Sequence, residues 1–104
     1  MIKAVYKTDG LTHSLSINGH ADYSQRGDDI VCSAVSGIIY ALVGWMENNS
    51  EDISICDKNI DSGDVKIYCE GGERTATAFQ MTAIGIEQIA NEYPSHVVID
   101  TTEF

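Results

Sequence analysis

Basic side chains are scarce in this sequence: six lysines and arginines stand against sixteen aspartates and glutamates, giving a formal net charge of −10 and a pI near 4.3. Such a field repels phosphate backbones, which excludes nucleic acid as a direct partner, and it favours cationic ligands. Proline occurs once, and no low-complexity tract or internal repeat is visible, so neither a disordered chain nor a solenoid fits. Three cysteines, an odd number with no CxxC pair, supply neither a disulfide framework nor a zinc knuckle. No Walker or GxGxxG pattern suggests a nucleotide, and the scattered carboxylates form no metal-ligand cluster, so no cofactor is expected. The N-terminus lacks the cationic head and apolar core of a secretory signal, which makes the cytoplasm the expected compartment.

What is present is the composition of one ordinary folded domain, residues 1–104, with 43% hydrophobic residues. Ile30 to Met46 carry no charge over seventeen residues, near the lower limit for a membrane span. Ser33, Ser36 and two glycines interrupt that run and strand-like segments flank it, so a helix buried on more than one side is the better reading, with no membrane involved. Glu51 and Asp52 read as solvated surface, Gly71-Gly72 as a loop, and Trp45 and Met46 as core or interface.

"MIKAVYK" and "LTHSLSIN" alternate in character around "TDG", predicting a β-hairpin in which Leu11, His13, Leu15 and Ile17 share one face. Asp29 is placed to cap a helix running to about Met46 by accepting the backbone N–H of Cys32. "EDISICD" and "DVKIYCE" predict two further strands, with Val65, Ile67 and Cys69 on one face. Phe79, Ala83, Ile86, Ala90 and Tyr93 mark a second helix stopped by Pro94, and "HVVID" a last strand. The order β-β-α-β-β-α-β implies an α+β, two-layer domain: a mixed or antiparallel sheet of about five strands with both helices on one face. A first helix apolar nearly all round implies self-association, most simply as a homodimer.

The chemistry concentrates in "NGHADYSQRGDDIVCSAVS". Cys32 falls in the first turn of the predicted helix, where free N–H groups and the dipole favour a thiolate. Asp28 and Asp29 oppose this, so a thiolate needs a cation, and His20 is the available one. In that reading imidazole takes the thiol proton, the first helical N–H groups hold an oxyanion, and Asp28 or Asp29 orients the ring. In the competing reading Cys32 is a small buried hydrophobe and His20 a loop residue. Residue spacing by itself leaves both open, whereas His13, His96, Cys56 and Cys69 read as structural.

The eighteen residues "GHADYSQRGDDIVCSAVS" closely resemble the signature of the ribosomal-processing cysteine protease family: Gly-His-Ala, a short variable loop, Gly-x-Asp-Ile-Val-Cys, then x-Ala-Val-Ser. The resemblance implies Cys32 as nucleophile and His20 as base, with Asp29 and Ser36 in supporting roles. It implies a homodimeric enzyme that removes a short N-terminal extension from large-subunit ribosomal protein twenty-seven, cutting after an aromatic pair. The substrate is then a basic partner, in keeping with the acidic chain. Gly19, Ala21 and Gly27 frame a loop expected to be mobile when empty and ordered over a peptide, with His20 drawn to Cys32 only then. A different thiol hydrolase on the same pair, or a non-enzymatic ribosome-associated module, are the alternatives.

Overall fold

The computed structural model describes residues 1–25 and 27–103. Two strands, β1 (Ile2–Thr8) and β2 (Thr12–Asn18), form the opening hairpin. Helix α1 (Ile30–Asn48) follows, then a single 3-10 turn at Ser50–Asp52, β3 (Ile53–Asp61), β4 (Asp64–Gly71), α2 (Glu73–Glu92) and β5 (Val97–Glu103). The five strands lie in the order β3-β4-β2-β1-β5, with β5 parallel to β1 and every other pair antiparallel. The sheet is therefore mixed, and the element order is the one the sequence predicts.

Period-two patterning selects the inner face. Ile2, Ala4 and Tyr6 of β1, His13, Leu15 and Ile17 of β2, and Ile67 and Cys69 of β4 are buried, while their alternates carry lysine, serine and glutamate outward. Leu11 does not join them: it falls in the turn that Asp9 closes by accepting the N–H groups of Leu11 and Thr12, and it is exposed. Cys56 is likewise exposed on β3, whereas Cys69 opposite it is buried.

Both helices cover the inner face for a topological reason. The β2–α1–β3 connection passes one strand in one direction, and the β4–α2–β5 connection passes two in the other, from a strand of opposite sense. Crossovers of one hand, run in opposite directions from opposed strands, land on the same side. Val31, Val35, Ile39, Leu42 and Met46 form the buried stripe of α1, at the i, i+4, i+3 spacing of one helix face. This stripe answers the apolar run, since α1 is the one described helix long and apolar enough to cross a membrane. Phe79 of α2 stacks on the rings of Tyr6 and His13, with centroids 6.2 and 4.8 Å away.

Asp52 corrects its surface assignment. Half-buried, it accepts the backbone N–H and the hydroxyl of Thr75, both at 2.7 Å, while its own carbonyl accepts the N–H of Gly72. Because Gly72 at the N-cap of α2 has no side chain to offer, the Asp52 carboxylate, twenty-three residues before Thr75, caps that helix instead.

Candidate active site

Asp29 caps α1 as expected, and does more. Its Oδ1 accepts the N–H groups of Val31 and Cys32, both at 3.0 Å, and its Oδ2 accepts those of Tyr23 at 3.0 Å and Ser24 at 3.3 Å. Burial pushes this carboxyl up, but the four N–H dipoles outweigh it and hold the group below the usual carboxylate range. Asp29 therefore stays ionised, and its hydrogen bonds go to backbone, not to the His20 ring.

This arrangement overturns one expectation. The N–H groups of Val31, Cys32 and Ser33 are not free for an oxyanion: the first two go to the Asp29 carboxylate, and that of Ser33 to the Asp29 carbonyl at 3.0 Å.

Cys32 is half-buried, and its Sγ accepts a hydrogen bond from the N–H of Ala21 at 3.2 Å. His20, one residue earlier, is half-buried at the end of β2, where Gly19 donates its N–H to the Gly63 carbonyl at 2.9 Å. The His20 ring lies against Gly63 so closely that a methyl there would sit 2.7 Å from Nε2. Only glycine, at φ +75°, makes this β3–β4 turn while leaving room for the imidazole. Among the described residues no hydrogen bond joins the His20 ring to Cys32 Sγ. Both side chains nevertheless line one cavity of about 630 Å3, whose walls include Gly19, Gly27, Asp29 and Ser36. Ser36, exposed one turn beyond Cys32, lies on that wall.

The loop between base and cysteine is anchored along its first half. Ala21 is buried, and its carbonyl accepts a hydrogen bond from His96 Nδ1 at 2.8 Å. Tyr23 meets the rings of Tyr93 and His96 edge-on. Ala21 therefore belongs to the packed frame, against the expectation of mobility throughout; Gly27 is exposed, and Arg26 lies outside the described residues. Sequence reasoning missed His96 because seventy-five residues separate it from its partner. His13 is structural as expected, with the hydroxyls of Tyr6 and Thr8 against its Nδ1. Among the described residues no three His, Cys, Asp or Glu side chains gather as a metal site requires.

The family model of cysteine protease Prp matches residues 1–98. This chain belongs to the Prp family of cysteine proteases. Two proteins named ribosomal processing cysteine protease Prp support the assignment. That of Mycoplasma genitalium is 34% identical over 90 residues, covering 86% of this chain and 89% of the relative. That of Mycoplasma pneumoniae is 31% identical over 85 residues, with 82% and 83% covered. The fold is shared with the Staphylococcus aureus essential ribosomal processing protease Prp, crystallised with a covalently linked product peptide. The TM-score is 0.82 over 97% of this chain and 99% of that one, at 20% identity. A Streptococcus mutans structure aligns with TM-score 0.74 and 25% identity over the whole chain and 96% of its own length. Membership of Prp sets aside the non-enzymatic module.

Proposed function

We propose that this protease removes a short N-terminal extension from large-subunit ribosomal protein twenty-seven, with Cys32 as nucleophile and His20 as general base and acid. The observation that carries the reading is the shared cavity: a thiol whose sulfur already accepts one backbone N–H, and an imidazole one residue from that donor, face the same space. His20 takes the thiol proton, and the thiolate attacks the scissile carbonyl. The imidazolium then protonates the leaving amine, leaving a thioester on Cys32. Water, deprotonated by His20, releases the new acid and restores the thiol.

A bound peptide closes the remaining gap between ring and sulfur, ordering the Gly27 side of the loop over itself while Ala21 stays fixed. Asp29 supports the site by holding loop and helix together, and Ser36 lines the cavity beyond the sulfur. The −10 charge draws a basic ribosomal tail toward the cleft. The enzyme works in the cytoplasm as a homodimer, for which Ile30 and Tyr40 of α1 and Met81 and Ile84 of α2 offer exposed apolar surface.

The test is mass spectrometry of a peptide spanning the extension, incubated with the wild type and with Cys32→Ala. Cleavage at one bond by the wild type alone is expected. An intact peptide in both reactions would overturn the substrate, and cleavage by both would overturn the nucleophile.

A further inference from the structure

We propose that His96 is a positioning residue for peptide cleavage: its Nδ1–H fixes Ala21, and Ala21 in turn holds its own N–H on the Cys32 sulfur. The proposal rests on Cys32 and His20 being the catalytic pair. Its observations are separate from those that point to the pair.

A carbonyl oxygen only accepts, so the 2.8 Å contact to Ala21 requires the proton on His96 Nδ1. Ala21 is gripped on both sides, by His96 at its carbonyl and by Cys32 Sγ at its N–H. It is also 1% exposed, so it cannot exchange either partner for water without moving. The next residue, Asp22, has φ +54°, in the left-handed region that a side chain rarely enters. Such a conformation persists where flanking contacts impose it. Here they are the His96 bond before it and the Tyr23 N–H on Asp29 after it, with the Tyr23 ring edge-on to His96 at 5.3 Å.

The consequence reaches both catalytic groups. The Ala21 N–H holds the sulfur by a hydrogen bond, so loosening Ala21 releases the Cys32 side chain from its position on the cavity wall. His20 lies between Gly19, tied to Gly63, and Ala21, tied to His96, while its own carbonyl accepts from the Met1 amino group at 2.6 Å, so the same loss removes one of three restraints on the backbone from which the imidazole swings. His96 reaches the sulfur only through Ala21.

The experiment compares His96→Phe, His96→Asn and His96→Asp with the wild type and Cys32→Ala. Phe keeps a ring for Tyr23 but has no donor. Asn presents an N–H where Nδ1 stands, and Asp presents none. Peptide cleavage gives kcat and KM. Iodoacetamide labelling, read at Cys32 by peptide mapping to separate it from exposed Cys56, gives the reactivity of the thiol.

Loss of the hydrogen bond that anchors Ala21 predicts about a tenfold fall in kcat for Phe and Asp at little-changed KM, with labelling of Cys32 slowed by a similar factor. Asn should recover most of both. Wild-type kcat and labelling rate in His96→Phe overturn the proposal, as does equal impairment of Asn and Phe, which would mark His96 as structural only. If the Phe variant fails to fold, the Asn and Asp pair decides: equal kcat in the two overturns the proposal. Cleavage by Cys32→Ala would instead bring down the assignment of the nucleophile, a result no His96 variant can imitate.

Discussion

Gly63→Ala is expected to separate stability from catalysis. Two costs attach to the added methyl. One is conformational: φ +75° places an L side chain in the left-handed region, at about 1–2 kcal/mol. The other is steric: the methyl would stand 2.7 Å from His20 Nε2 and 3.2 Å from Cε1, where ordinary contact begins near 3.4 Å. The clashing atoms are the far end of a side chain that can turn, so the ring yields by roughly 0.7 Å or more instead of the sheet, and the steric cost to folding is small. For a general base that displacement matters more, since an error near 1 Å costs about 10²-fold in rate. Gly10→Ala is the control: φ is +101°, but open space surrounds the new methyl and the β1–β2 turn is remote from the cavity. Both variants should melt lower, by about 4–8 °C per kcal/mol lost. Only Gly63→Ala should lose about 10- to 100-fold in kcat against the extension peptide. Wild-type kcat in Gly63→Ala, at a melting temperature matching Gly10→Ala, would refute the claim that this turn sets the His20 ring for catalysis.

Two further perturbations probe the frame behind the site. Phe79→Ala removes a 1%-exposed ring stacked on His13 and Tyr6 and should cost about 3–5 kcal/mol in chemical denaturation; a loss under 1 kcal/mol would mean that the layer between α2 and the sheet collapses to fill the gap. Burial pushes His13 below its ordinary value of 6.5, against a smaller upward pull from Asp9. The unfolded chain therefore takes up this proton first, and stability that is full above pH 6.5 declines as the pH falls through that value toward the depressed folded one. His13→Gln should flatten this part of the melting profile between pH 7 and 5.5; identical slopes would show that His13 is not the group responsible.

Local signals carried most of the fold. Alternation in β1, β2 and β4 identified the inner face, and the spacing of Phe79, Ala83 and Ile86 identified α2. Leu11 obeyed the alternation but not the burial, because Asp9 had already turned the chain there. The Asp29 cap was legible since both partners lie within three residues, and the signature placed Cys32 and His20 on one cavity. Contacts across long separations left no local trace: Asp52 to Thr75, Gly63 against His20, and His96 to Ala21 depend on which elements the topology brings together. No window of neighbouring residues encodes those pairings.

The position of Cys32 at a helix start suggested that the helix itself activates the thiol, and the geometry argues otherwise. An ionised Asp29 spans the end of α1, accepting two of its N–H groups and offsetting the positive end of the dipole where it would act on sulfur. What the helix loses as an activator the loop supplies as a frame. The same carboxylate that occupies Val31 and Cys32 also fixes Tyr23 and Ser24, and that leaves Ala21, between Asp29 and His96, with its N–H on the sulfur. The setting of Cys32 then depends on one loop donor and on His20, and both sit on a backbone stretch that Asp29, Gly63 and His96 hold from three different parts of the fold. A substitution at Asp29 or His96 should therefore show in thiol reactivity before it shows in the stability of the sheet, which neither of them builds, whereas Gly63 also makes the β3–β4 turn.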